Sequence, residues 1–301
     1  MISYTPLISV IMPAYNHAAY IGEAIESVLS QTFSDFEFII INDGSKDGTE
    51  RVIRSFTDCR IRYYSQKNSG AHNSLNLGIS LADGKYISII NSDDIYTSDR
   101  LSKLFHYAES ESLDFIFTAI EHIDSKSMPI SHDDGRRAGY EKLLESYKES
   151  GDILGITLVE NIALTTSNFF FTKSLFDEVG NFSSYRYAHD YDFLLRVFKT
   201  VSSTGVMMLP ERLIKYRRHS KNTIIENAYL VSLEKNEILM SHLSDFIYCD
   251  TDRKRFEPVL RNLFLNAIED LSRLTRTRSW KLTAPLRWLA EAIKLPPKPG
   301  Q

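Results

Sequence analysis

The chain has 301 residues, 43% hydrophobic and 25% charged, enough for a substantial core in one large domain or two smaller ones. Its net charge of −4 argues against nucleic acid as the main partner, and no apolar run reaches the roughly 18 residues of a spanning helix. Cys59 and Cys249 are too few for a disulfide framework and lack zinc-ligand spacing, which fits a reducing cytoplasm. The opening MISYTPLISVIMPAYN has neither the basic start nor the long apolar stretch of a secretion signal.

Strand and helix patterns alternate through the first part. Leu7 to Met12 is a short apolar run stopped by Pro13, the mark of a buried strand. Ile21, Ala24, Ile25, Val28 and Leu29 then recur at helical spacing. Phe36 to Ile41 is a second apolar strand, broken by Asn42-Asp43-Gly44-Ser45. A helix follows around Glu50 to Phe56, a strand near Ile61 to Tyr64, and a helix over about Ala71 to Leu81. Tyr86 to Ile90 is a strand ended by Asn91-Ser92-Asp93-Asp94. This alternation implies a mostly parallel sheet covered by helices. Asp124 to Gly155 is polar and weakly patterned, and reads as a mobile loop or long connection. Thr165 to Val201 is amphipathic and returns to the sheet or covers it. Beyond about Ile224 only helical patterns remain, which sets a boundary between residues 1–223 and 224–301.

In an open parallel sheet, ligands bind outside the carboxyl ends of the strands. Three predicted strands end in polar clusters, at Tyr15-Asn16, Asn42 to Ser45 and Asn91 to Asp94. Any one of these is compatible with an ordinary turn. Acids at two such ends are a different matter, since both would point into one crevice. There they would repel each other unless a cation or a shared proton intervened.

Four blocks, taken together, carry a resemblance. They are Val10 to Asn16; Ile41 to Thr49; Asn76-Leu77-Gly78-Ile79 through Ala82-Asp83-Gly84 to Asp94; and Val179 to Phe182 followed by His189-Asp190-Tyr191-Asp192 to Arg196. In this order and spacing the chain resembles the inverting nucleotide-sugar glycosyltransferases of family 2. That resemblance implies an α/β GT-A fold, a Rossmann-like mixed sheet flanked by helices, here with a C-terminal helical extension. It implies transfer of a sugar from a nucleoside-diphosphate donor, UDP being the family's commonest, to a hydroxyl of a glycan or lipid-linked acceptor, in surface polysaccharide synthesis. Mn²⁺ or Mg²⁺ would assist.

Residue by residue, the resemblance makes Asp190 the general base. Asp43 would accept a hydrogen bond from the nucleobase, with Pro13 and Tyr15 flanking it. Asn16, Asn76, Ser92 and Arg217 would complete the donor site. Asp93 and His219 would hold the metal. Asp94 would join them or cap a helix beginning near Thr97. His189 would either partner Asp190 or sit on the surface at a helix start, and Asp192 would be structural, as a cap. The chain departs from the family pattern at Asn91, where a carboxylate is usual, at His189, where Glu is common, and at Leu75, where many relatives have Arg. Those departures keep open a catalytically inactive sugar-nucleotide-binding or scaffolding protein of the same fold. A nucleotidyltransferase would need a glycine- and arginine-rich phosphate loop near the first strand, and Pro13 to Ala19 has none.

Charge is unevenly spread. From Leu271 onward seven bases accompany a single acid, Glu291, so the tail carries +6 and the first 270 residues −10. Leu286, Leu289 and Ile293 form one apolar stripe there, beside Trp288. Such a segment, about residues 271–298, suits either an anionic membrane surface, as a peripheral contact on its cytoplasmic face, or packing against protein.

Overall fold

Ile8–Ala14 (β1) and Phe36–Asn42 (β2) are buried at every position, because both faces of each strand are covered. They lie side by side within a mixed sheet in a computed structural model that describes residues 5–201, 205–220, 222–223, 227–246 and 256. The remaining strands are Ile61–Ser65 (β3), Tyr86–Ile89 (β4), Ile95–Tyr96 (β5), Phe115–Ile123 (β6), Phe170–Thr172 (β7) and Val206–Arg217 (β8). Their order is β3-β2-β1-β4-β7-β6-β8-β5. β1 runs parallel to β2 and β4, and β2 to β3, whereas β7 is antiparallel to both β4 and β6. The expected α/β sheet flanked by helices is therefore present.

Alternation along β1 splits the core. Ile8, Val10, Met12 and Ala14 face the helices Ile21–Leu29 (α1) and Arg100–Ser110 (α4), with Ile53 of Thr49–Ile53 (α2) beside them. Ile11, with Ile39 and Ile41 of β2, faces Ala71–Ser80 (α3), Lys173–Val179 (α7) and His189–Thr200 (α8). α3 lies unusually close to the sheet at Gly78. A Cβ there would come within 2.5 Å of Ile11 Cγ2 and 3.4 Å of Ile41 Cγ1. Gly78→Ala gains helix propensity of about 1 kcal/mol but overpacks a β-branched core residue, at a cost of about 1–3 kcal/mol. We expect net destabilisation, read as a lower denaturant midpoint with unchanged slope; a midpoint at or above wild type would show that the helix can retreat.

The polar stretch after Asp124 is not a loop. It contains Gly135–Ser150 (α5), a helix of 16 residues, followed by Ile153–Val159 (α6). The pattern was weak because only Arg137 and Tyr140 of α5 are buried. Its ends are set by caps instead. Asp134 accepts from the amides of Arg136 and Arg137, and Gly151 closes the helix at φ +65°. The Tyr140 hydroxyl then accepts from Ile120 N, 3.3 Å away, tying α5 to β6.

The chain divides into two compact units, Met1–Phe246 and Ile247–Gln301. A further helix, Ala228–Leu243 (α9), belongs to the first. The basic tail lies outside the described residues, and with it the expectation of membrane contact. Among the described residues no helix is long and apolar enough to cross a membrane.

Candidate active site

Because β1, β2 and β4 are parallel, their carboxyl ends fall on one edge of the sheet, and the segments that follow them open into a single cleft. The cleft has a volume of about 1050 Å³. Pro13, Tyr15, Asp43, Ser92, Asp93 and Asp190 all line it, although they are scattered over nearly two hundred positions of sequence.

Asp93 sits at the centre of the first constellation. Its Oδ2 lies 3.0 Å from His219 Nε2 and 4.0 Å from His17 Nε2. One ligand atom from each of the three side chains falls within 4.8 Å of the others. His17 Nδ1 pairs with Ser92 Oγ at 2.8 Å, which turns Nε2 toward Asp93 in the manner of an outer-shell contact that orients a metal-binding imidazole. His219 stacks on Tyr20, with ring centroids 4.6 Å apart. Burial would raise the Asp93 carboxyl, but the His219 hydrogen bond and the adjacent imidazoles hold it below its ordinary value. Two imidazoles and one carboxylate can hold a divalent transition-type cation. The set suits Mn²⁺ better than Mg²⁺, which favours oxygen ligands.

Asp94 caps no helix, since α4 begins only at Arg100. Its carboxylate accepts from Ser167 Oγ at 2.5 Å and from Arg217 N at 2.9 Å. Burial and the neighbouring Asp93 charge push it well above the usual carboxylate range. Asn91 explains its own departure from the family pattern. Its amide donates to Thr165 Oγ1 and accepts from Thr166 Oγ1, a pairing in which an ionised carboxylate could not donate. Leu75 is fully buried in the apolar layer under α3, so its contribution is packing.

The second constellation is at the start of α8. Asp190 Oδ2 accepts from Asn161 Nδ2 at 3.1 Å, and Oδ1 accepts from Tyr191 N at 2.7 Å. Desolvation raises its carboxyl to about 6, against the opposing pull of the Tyr191 amide and Lys235. His189 is half-buried and lines the cleft, with its Nδ1 turned inward out of solvent. Desolvation pushes that imidazole down to about 4. Asp192 is structural, as the sequence suggested, but does not cap the helix. It accepts from Ser183 and Arg196 and lies 2.9 Å from His242 Nε2.

Asp43 is positioned by the segment before α3. Oδ1 accepts from Gln66 Nε2 at 2.7 Å and Ser69 N at 2.9 Å, and Oδ2 accepts from Gly70 N at 2.9 Å. Oδ2 carries a second lone pair, and Asp43 lines the cleft although almost fully buried.

Three residues expected at the donor do not line the cleft. Asn16, at φ +54°, receives Lys46 N on its side chain and donates its own amide to Ser45 Oγ, lacing the β1 and β2 ends together. Asn76 makes a reciprocal pair with the backbone of Phe182. Arg217 is 1% exposed and its guanidinium is committed to protein, donating to Asp93 O, Asp124 O, Ser127 Oγ and Glu23. Sequence pattern cannot tell a residue that touches a ligand from one that braces its neighbour.

His17 and Asn161 were missed outright. His17 follows the Tyr15-Asn16 turn, and only the adjacency of β1 and β4 brings it to Asp93. Asn161 lies beyond the weakly patterned stretch and reaches Asp190 across 29 residues.

Residues 9–190 match the model of the Glycosyl transferase family 2 domain. A glycosyltransferase of Rickettsia typhi is 36% identical over 79% of this chain and 72% of its own length. The glycosyltransferase GlyG of Streptococcus pneumoniae is 28% identical over 91% of this chain and 93% of its own. Among solved structures, Staphylococcus aureus TarS in complex with UDP-GlcNAc superposes with a TM-score of 0.58 at 15% identity, covering 85% of this chain and 80% of that one. The mannosyltransferase PcManGT of Pyrobaculum calidifontis, in complex with GDP-Man and Mn²⁺, gives 0.56 at 15% identity, covering 96% and 84%. With the matched domain spanning most of the sheet and reaching from His17 and Asp93 to Asp190, this chain belongs to glycosyltransferase family 2 and is a GT-A glycosyltransferase.

Proposed function

We propose that the enzyme transfers a sugar from a nucleoside-diphosphate donor, a UDP-sugar, to a hydroxyl of a glycan or lipid-linked acceptor in surface polysaccharide synthesis, with inversion and with Mn²⁺. The observation that carries this reading is that Asp93 and His17, clustered with the buried His219, line the same cleft as Asp190. Pro13, Tyr15 and Asp43 hold the nucleobase, and Ser92 lines the path of the diphosphate. Asn16, Asn76 and Arg217 act at one remove, by fixing the segments that carry those groups. His17, Asp93 and His219 would hold the cation, which when bound offsets charge developing on the departing nucleoside diphosphate.

Asp190 is the base of a single displacement. Its carboxylate takes the proton of the acceptor hydroxyl as that oxygen bonds to the anomeric carbon. The bond from that carbon to the diphosphate oxygen breaks, and the nucleoside diphosphate leaves with the electron pair. One carboxylate suffices, since no glycosyl-enzyme intermediate is formed. Its raised value is useful, because a base near 6 is ionised at neutral pH yet holds a proton better than an ordinary aspartate. The catalytic part is residues 1–223, to whose cleft the following helix α9 adds Val231 and Lys235, with the basic segment 271–298 as a peripheral contact on the cytoplasmic face of an anionic membrane.

A calorimetric or thermal-shift series of nucleotide sugars, with and without Mn²⁺, tests the reading. A UDP-sugar should bind only with metal present, and its stabilisation should grow with concentration by mass action. Indifference to every nucleotide sugar in the presence of Mn²⁺ would sink it.

A further inference from the structure

The family match ends at residue 190, yet one wall of the cleft comes from beyond it. α9 contributes Val231 and Lys235, one helical turn apart, to the cleft lining. From the same face Glu234 reaches back to the segment leading into α8. Its Oε1 accepts from Arg186 N at 3.0 Å, and its Oε2 accepts from Tyr187 N at 2.7 Å and Ala188 N at 3.2 Å. Three successive amides thus converge on a single carboxylate more than forty residues away in sequence.

α8 needs such a partner. Its N-cap position is Ala188, which has no side chain able to accept from the first amides, and no side-chain cap is made there. Glu234 accepts instead from the amides that lead into the helix, those of Arg186, Tyr187 and the N-cap Ala188 itself, and its charge lies at the positive end of the helix dipole. Asp190 stands in that first turn, two residues past the last clamped amide. Further ties run the same way. His242 of α9 meets Asp192 of α8 at 2.9 Å, and Lys235 pairs with Glu160, next to the Asn161 that donates to Asp190.

We propose that Glu234 is a positioning residue for sugar transfer, clamping Arg186 to Ala188 so that Asp190 is held at the acceptor hydroxyl. This rests on Asp190 being the base. The same clamp sets the cleft-lining Tyr185 and Tyr187, whose aromatic faces suit the apolar face of an acceptor sugar.

The experiment compares Glu234→Ala and Glu234→Gln with Glu237→Gln, an exposed change on the same helix. Amide hydrogen exchange at 186–188, UDP-sugar affinity by calorimetry and steady-state transfer are measured on the full chain. For Glu234→Ala we expect exchange to quicken by about tenfold or more and kcat to fall about 10- to 100-fold, since a displacement of about 1 Å costs that much. Donor affinity should stay within about twofold, because the donor end of the cleft is built by the strand termini. Glu234→Gln keeps one acceptor oxygen and should fall between Ala and wild type, and it carries the test should the alanine variant not fold. Glu237→Gln should match wild type. Wild-type kcat in both Glu234 variants, or kcat and donor affinity falling in step, overturns the proposal. A wild-type enzyme that moves no sugar overturns the assignment of Asp190 instead, and the exchange data still report whether the clamp exists.

Discussion

Asp190→Asn lowers the rate of sugar transfer by about 10²-fold or more, while UDP-sugar affinity stays within about twofold of wild type. The amide keeps the shape of the carboxylate and one acceptor oxygen, enough for the Tyr191 amide though not also for Asn161 Nδ2, so the main loss is of basicity. The pH profile makes the test sharper. Burial raises Asp190 to about 6, so the group is protonated, and useless as a base, below that value. Transfer by the wild type should therefore climb as pH rises through about 6 and level off above it. Asp190→Asn should lack that limb. Initial rates of nucleoside diphosphate release from about pH 5 to 8 provide the measurement. A wild-type profile that is flat across this range, or a variant that transfers at the wild-type rate, removes Asp190 from its role.

Asp93→Ala should be comparably damaging by a different route, with metal and donor lost together. Asp93 is the sole carboxylate among the three side chains whose ligand atoms cluster. Removing it leaves two imidazoles at a ring separation of 5.6 Å with no anionic ligand between them. Mn²⁺ affinity, followed by electron paramagnetic resonance, should drop more than about 10²-fold, and UDP-sugar binding should lose its metal dependence. His17→Ala should produce a smaller loss, about 10- to 100-fold, because Asp93 and His219 remain. Full Mn²⁺ affinity in Asp93→Ala would mean that the cluster is an ordinary hydrogen-bonded group. The two variants also report on different steps, since Asp190→Asn leaves the metal in place and Asp93→Ala does not.

The contrast between these residues and Arg217 is instructive. Asp93 and Asp190 fall in the blocks that carry the resemblance and Arg217 lies beyond them, yet all three were expected to meet the ligand. Asp93 and Asp190 line the cleft, whereas Arg217 is spent on four protein acceptors behind it. A guanidinium at 1% exposure cannot reach a diphosphate without breaking that network, and stranding it would leave a buried charge unpaired. Its value is that its Nε holds the carbonyl of Asp93 and its own amide holds Asp94.

Much of the sheet was legible in advance because a parallel strand buried on both faces must be apolar at every position. β1, β2 and β4 carry that mark, and among the polar residues that follow them Tyr15, Asp43, Ser92 and Asp93 line the cleft. α1 and α3 were legible from their apolar spacing, since each lies against one face of the sheet. α5 was not, because it buries only two side chains and owes its limits to Asp134 and Gly151. β6 and β8, paired in register with a shift between Thr118 and Ile120, carry no local signal of who their partners are.

What the chain determines locally is therefore the kind of element at each position and the chemistry available at its ends: carboxylates after β2 and β4, and another at the start of α8. Hydrophobic period and turn chemistry act over a few residues, and they were sufficient for that. Tertiary structure alone decided which of those groups meet. Strand order put His17 beside Asp93, and the packing of α9 put Glu234 under the amides before Asp190. Contacts of this sort span dozens to more than a hundred residues, and they follow from how whole layers stack, a property that no short window of sequence contains.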